Sequence, residues 1–253
     1  AEAEVEGVVF SRALVSITHP HIKQQVYFPE STIKVVKLDI ERRGDTIGYI
    51  VGSGDEVADA LRHLGYDVVL LTDEELESGD LTRFDAIVAG IRAYNTRERL
   101  VVAQPRLLQY VEDGGTLLVQ YNVSRGLLTE EIGPYPLTIG RDRVSEEDAP
   151  VTILAPDHPL LNFPNRITQR DFEGWVQERG LYFATEWDDR YETVLASHDA
   201  GEPDTAGGLV FARFGDGVFI YSGISWFRQL PAGVPGAYRL LANVISSGKV
   251  YED

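Results

Sequence analysis

The stretch 44–122 reads as two and a half turns of one repeating unit, and this repeat decides most of what the chain can fold into. Asp45-Thr-Ile-Gly-Tyr-Ile-Val51 is a short apolar run, and Gly52-Ser-Gly-Asp-Glu56 breaks it. Val57-Ala-Asp-Ala-Leu-Arg-His-Leu64 follows with apolar residues at 57, 60, 61 and 64, the spacing of a helix, and Gly65 supplies its stop. Val68-Val-Leu-Leu71, Ala86-Ile-Val-Ala89 and Thr116-Leu-Leu-Val-Gln120 are three further apolar runs, with a second helix expected over 96–112 and closed by Gly114-Gly115. Apolar runs without alternation, separated by helices, are strands buried on both faces. The expected class is therefore α/β, a mostly parallel sheet with right-handed crossovers and helices on both faces.

The flanks differ. Residues 1–43 carry short alternating or apolar runs, Val8-Val-Phe10, Ala13-Leu-Val-Ser-Ile17, Gln24-Gln-Val-Tyr-Phe28 and Ile33-Lys-Val-Val-Lys-Leu-Asp-Ile40, which predict a small N-terminal β appendage or linker ahead of an α/β domain over 44–253. The segment 123–150 is rich in Gly and Pro, and a connection of that length is functional or carries short elements of its own. Thr193-Val-Leu-Ala196, Gly208-Leu-Val-Phe-Ala-Arg-Phe214 and Gly217-Val-Phe-Ile-Tyr221 read as strands, with Phe214-Gly-Asp-Gly217 as a hairpin turn, and 237–246 as a closing helix.

The chain has 253 residues, enough to bury a full core, and no run long enough to span a bilayer. With no Met and an opening Ala1-Glu-Ala-Glu-Val-Glu6, it reads as a piece of a longer chain. There is no Cys, which removes disulfides, thiolate metal sites and thiol nucleophiles together. The formal charge is −17, a field that repels phosphate backbones and makes nucleic acid a poor partner. Only four of the 23 cations are Lys, at 23, 34, 37 and 249. A salty environment and an ordinary acidic surface both account for that balance.

The strings Ile47-Gly-Tyr-Ile-Val-Gly-Ser-Gly-Asp55, Gly90-Ile-Arg-Ala-Tyr-Asn95, Tyr110-Val-Glu-Asp-Gly-Gly115, Val119-Gln-Tyr-Asn122, Asp171-Phe-Glu-Gly-Trp-Val-Gln-Glu-Arg-Gly180 and Phe227-Arg-Gln-Leu-Pro-Ala-Gly-Val-Pro-Gly-Ala-Tyr-Arg239 together resemble the C-terminal region of large bacterial PIG-L (LmbE-like) deacetylase-family proteins. That region is similar to class I glutamine-amidotransferase-like and ThuA-like domains, so the resemblance implies a flavodoxin-like sheet. It also implies a deacetylase module elsewhere in the parent chain and an envelope or secreted bacterial location. The zinc motif of such a module is not here: His19-Pro-His21 and Asp157-His158-Pro159 lack its paired carboxylates. Active amidotransferases place a Cys on a strained elbow after a core strand. The matching position holds Tyr121-Asn122, and Asn cannot act as an acyl-transfer nucleophile.

Three clusters are candidates for a site. Arg92-Ala-Tyr-Asn95 and Gln120-Tyr-Asn122 follow core strands, where ligands of open α/β sheets collect; Tyr94, Asn95 and Asn122 either line a pocket there or satisfy turns. Asp171, Glu173, Trp175 and Arg179 put carboxylates, an aromatic and an Arg within nine residues, which suits sugar binding or glycoside chemistry and equally suits an ion-pair network that pins an irregular segment. Arg228 enters the same cleft or ties down its own loop. Gly52-Ser-Gly-Asp-Glu56 lacks both phosphate-loop spacings and puts acids where phosphate would sit, so it is expected to be a turn that caps a helix. The five His residues show no metal spacing, and no metal or cofactor is expected. The leading expectation is a non-catalytic domain that binds a carbohydrate or packs on a deacetylase module. A hydrolase using the carboxylates of 171–179 and a structural or oligomerising domain are the alternatives.

Overall fold

Seven strands form the central sheet of the computed structural model, which describes residues 2–251. In chain order they are β1 (Thr46–Ile50), β2 (Asp67–Leu70), β3 (Ala86–Ala89), β4 (Thr116–Gln120), β5 (Tyr191–Thr193), β6 (Leu209–Phe214) and β7 (Gly217–Ser222). The spatial order is β5-β6-β7-β4-β3-β1-β2. The ladders β2–β1, β1–β3, β3–β4 and β4–β7 are parallel; β7–β6 and β6–β5 are antiparallel. Besides a single turn at Pro159–Asn162, the α-helices are α1 (Val57–His63), α2 (Asp73–Ser78), α3 (Ala93–Thr96), α4 (Glu98–Glu112), α5 (Trp226–Gln229) and α6 (Pro235–Ser246).

The unalternated runs are buried on both faces, as their composition requires. Ile87, Leu117, Val119, Phe219 and Tyr221 share one cluster with Leu76 of α2 and Leu100, Leu107 and Val111 of α4. The intervening Val88, Leu118, Val218 and Ile220 are also fully buried, on the opposite face of the pleat, and α6 packs against β4. Local signals explain the ends. Thr72 and Glu75 form a reciprocal capping box at the start of α2. The expected 96–112 helix is two, because Arg97 leaves helical geometry between α3 and α4.

The chain divides into two compact units, Ala1–Leu38 and Asp39–Asp253. In the first, Ala3–Val5 pairs with Val8–Phe10 and Val15–Ile17 with Gln25–Tyr27, giving two short antiparallel ribbons. No residue of 2–38 is buried. The expected strand over 33–40 is absent, for it finds no ladder partner and 31–44 has no regular structure. In the second unit, residues 39–43 are fastened by Asn165, which accepts from the Glu41 amide and donates to the Glu41 carbonyl, and by Ser246, which accepts from the Arg43 amide.

Between β4 and β6 lies a long insertion. It contributes β5 to the sheet and three small ribbons: Leu137–Ile139 with Ala184–Trp187, Arg143–Val144 with Gly180–Leu181, and Val151–Ile153 with Leu195–Ser197. Asn243 of α6 fixes it from below. This fully buried amide accepts from the Asn165 backbone and side chain, both at 2.9 Å, and donates to the carbonyls of Leu160 and Asn165 at 2.9 and 2.7 Å. Asn243→Ala strands several buried groups at once, and we expect it to cost about 3 kcal/mol in urea unfolding. A loss below about 1 kcal/mol would show that the insertion is held elsewhere.

Candidate functional site

Strand order reverses between β1 and β3, and ligands of open α/β sheets ordinarily enter the crevice at that point. Here the two strand-end loops are sewn together. The Ser53 amide donates to the Ile91 carbonyl at 2.9 Å, and a Cβ built on Gly52 would stand 2.1 Å from that same oxygen, so only glycine fits. Asp55 completes the seam. Its Oδ1 accepts from the Tyr49 hydroxyl at 2.5 Å and the Val57 amide at 2.9 Å, while Oδ2 accepts from the Ile91 amide at 3.2 Å. Gln120 of β4 donates to the Tyr49 hydroxyl at 3.0 Å. Burial, reinforced by the Asp55 charge and hydrogen bond, pushes the Tyr49 pKa far above the usual phenol range, so this hydroxyl stays protonated. The segment 52–56 is thus a turn, and it caps α1.

The polar and aromatic side chains instead gather one step along the sheet, at the carboxyl ends of β3, β4 and β7. Tyr121 follows β4, and its ring stacks on Tyr182 (centroids 5.9 Å, interplanar 12°) and leans on Phe227 of α5 (5.4 Å, 47°). Tyr182 comes from the insertion. Its carbonyl accepts from the buried Tyr221 hydroxyl at 2.5 Å, and its φ is +54°. Tyr182, Phe227 and Arg228 are half-buried, and Arg92 is exposed. The Tyr121 pKa is raised by burial; the Arg92 and Arg228 charges oppose the shift, while Glu178 and Tyr182 add to it. Arg228 donates to Glu178 at 2.6 Å, bonds the Gln177 side chain, and lies over the Phe227 ring at 4.9 Å.

Two buried residues hold the tight turn at 176–179 in place. Gln229 accepts from the Val176 amide at 2.9 Å and donates to the carbonyls of Val176 and Glu178 at 2.9 and 3.0 Å; the Ser225 hydroxyl donates to the Glu178 carbonyl at 2.6 Å. At the end of β4 no residue has a left-handed φ, and 121–136 is irregular instead of entering a helix. The left-handed residue at a central strand end is Arg92 (φ 57°, ψ 24°), whose amide donates to the Tyr121 carbonyl at 2.8 Å.

The residues singled out from sequence fall into two groups. Tyr94 and Asn122 have no exposed surface. The Asn122 oxygen accepts from the Tyr94 amide at 2.9 Å, and the Tyr94 hydroxyl donates to Gln104 at 2.6 Å. Asn95 staples the next loop, donating to the carbonyls of Val123 and Gly126 and accepting from the Val123 amide. Asp171 takes both Thr168 donors on one oxygen and Arg239 at 2.9 Å on the other. Trp175 is 5% exposed and donates to the Asp171 carbonyl. Arg179 is buried under it, donating to the carbonyls of Ala149 and Phe172, and burial holds its guanidinium below the usual range. Glu173 is exposed. Only Arg228 stands in the aromatic group. Tyr182 carried no local signal, since its neighbours in the group come from β4 and α5.

Cavities lie elsewhere, among them one of about 470 Å³ beside Tyr135 and Leu137 and one of about 300 Å³ beside Arg141 and Glu202. One of about 40 Å³ is apolar, between Trp175, Phe172, Phe183 and Leu195. Another of about 500 Å³ opens at the amino ends of β3 and β4, where Lys249 pairs with Asp85 at 2.8 Å. Among the described residues no cluster of three or more His, Asp or Glu could hold a metal ion. His158 is buried, and its Nδ1 accepts from the Leu160 amide. No described helix is long and apolar enough to cross a membrane.

No family model and no curated protein matches the chain. Solved structures do. A GMP synthase-like protein of Thermoplasma acidophilum superposes with a TM-score of 0.51 at 11% identity, over 83% of this chain and 97% of its own. A ThuA-like protein of Bacteroides uniformis gives 0.53 at 13%, over 85% and 93%. A cold-adapted β-galactosidase of Rahnella sp. R3 gives 0.52 at 14%, over 84% of this chain and 32% of its own. The chain has a class I glutamine-amidotransferase-like fold with small N-terminal strand hairpins.

The Arg92 backbone carries a cost that glycine would not. Arg92→Gly is expected to raise stability by about 1 kcal/mol, whereas Arg92→Ala, still left-handed, gains nothing. Equal midpoints for the two variants in thermal unfolding would mean that the residue is not strained.

Proposed function

We propose that this chain is a non-catalytic amidotransferase-like domain that binds a carbohydrate at the carboxyl ends of β3, β4 and β7. The observation that carries this reading is the group Tyr121, Tyr182 and Phe227, flanked by Arg92 and by the Arg228–Glu178 pair. Aromatic faces take the apolar face of a pyranose, and charged hydrogen-bonding groups at their edges take its hydroxyl rim. In this reading Tyr94, Asn95 and Asn122 shape the loops, and Asp171, Trp175 and Arg179 fix the irregular segment that leads to Tyr182. Glu173 remains free to meet a longer ligand.

A hydrolase built on the 171–179 carboxylates is less well supported, because Asp171 has both oxygens engaged and Glu178 is tied to Arg228. The absence of Cys removes thiol-based acyl transfer. The residue-level resemblance to PIG-L/LmbE-family proteins supports a parent chain with a deacetylase module. Packing on such a module is favoured by the N-terminal unit, where Val5, Val8 and Phe10 on one ribbon face and Tyr27 on another are 50–58% exposed. Isolated two-stranded ribbons are marginal in water and gain from such a cover.

Two measurements follow. In a thermal-shift series with mono- and disaccharides, including amino sugars, a binding sugar raises the midpoint; at a hundredfold its Kd it contributes about 2.7 kcal/mol. Tyr182→Ala should abolish the shift, and no shift at millimolar concentrations of any sugar contradicts the reading. For the N-terminal unit, amide hydrogen exchange over 3–27 should be fast in this chain alone and slow when a deacetylase module is joined to it. Equal rates would remove the packing role.

A further inference from the structure

Arg92 is held on both sides of its strained Cα. Its amide donates to the Tyr121 carbonyl, and its own carbonyl accepts from the Asn95 amide and the Thr96 hydroxyl, each at 3.0 Å. This bracing directs an exposed side chain from a conformation that arginine ordinarily avoids, and strain of this kind persists only where the surroundings over-determine it. The guanidinium itself has no hydrogen bond, ion pair or ring contact among the described residues. The neighbouring Arg228 is different, since Glu178 neutralises it at 2.6 Å. The aromatic group therefore carries one net positive charge in a chain whose formal charge is −17. A field of that sign offers many carboxylates that could have paired with Arg92, and none does. It also disfavours a doubly charged ligand more than a singly charged one.

We propose that the carbohydrate bound here is an acidic one, a hexuronic acid residue whose carboxylate meets the Arg92 guanidinium while its ring lies against Tyr182 and Phe227. This rests on the carbohydrate reading above and specifies the ligand class. The planar guanidinium presents two parallel N–H groups that match a carboxylate, which a hexose hydroxyl cannot replace. A sugar phosphate presents nearly two charges at neutral pH to a strongly negative protein and is the poorer match.

Isothermal titration of the chain with glucuronate and galacturonate, each beside its neutral hexose and hexose 6-phosphate, tests this. The uronate should bind at least about tenfold tighter than its hexose, equivalent to about 1.4 kcal/mol. In Arg92→Gln the ratio should fall to near one, the uronate losing more affinity than the neutral sugar, and Arg92→Lys should keep part of the preference. Binding of both sugars with equal affinity, or a preference that survives Arg92→Gln, overturns the acidic-sugar assignment and leaves the carbohydrate reading standing. Tighter binding of the phosphate overturns the choice of a single charge. Binding of no sugar overturns both readings.

Discussion

The carboxylate of Asp55 closes the place where an open α/β sheet ordinarily receives a ligand. By accepting from Tyr49, Val57 and Ile91 it joins the ends of β1 and β3 to the start of α1, at the place where strand order reverses. A half-buried carboxylate with three donors is well satisfied, and removing any one of them would leave a costly unpaired group. Gly52 lets the two loops touch. The usual entry of an open α/β sheet is thereby filled with the protein's own backbone, and an aromatic and cationic group gathers instead at the ends of β3, β4 and β7.

The insertion between β4 and β6 brings a further aromatic ring to those strand ends. Its tight turn at 176–179 is clamped by Gln229 and Ser225, and the chain beyond it stacks Tyr182 on Tyr121. None of the side chains involved is acidic except Glu178, already paired. The result is an aromatic and cationic spot on a protein whose overall charge is strongly negative, which is a local contrast that an ordinary solvated face does not require.

The sheet was legible because its strands are buried on both faces, and a run such as Thr116-Leu-Leu-Val-Gln120 has few other ways to be stable. The β6–β7 hairpin was visible in Phe214-Gly-Asp-Gly217, where Gly215 adopts a φ of 59°. The ribbons of the insertion were not, since strands of two to four residues pair with partners some 40 positions away and leave no periodicity. Residues 33–40 alternate like a strand but have no partner, and alternation alone does not form a ladder. Within the site, residue type was the weaker guide. Asp171, Trp175 and Arg179 look like chemistry in the sequence, yet they are buried and engaged within the protein, Trp175 on the Asp171 carbonyl, Arg179 on those of Ala149 and Phe172, and Asp171 on Thr168 and Arg239. Tyr182 and Phe227 look like core, yet they are half-buried and meet over the buried Tyr121. Only long-range packing separates these cases.

The central claim is that ligand binds at the carboxyl ends of β3, β4 and β7. Backbone amide NMR of the labelled chain, titrated with a hexuronate, tests it most directly. The account predicts shift changes concentrated at 92–95, 121–123, 177–182 and 224–228. Changes concentrated instead around Asp85, Thr116 and Lys249, at the opposite end of the sheet, would contradict it.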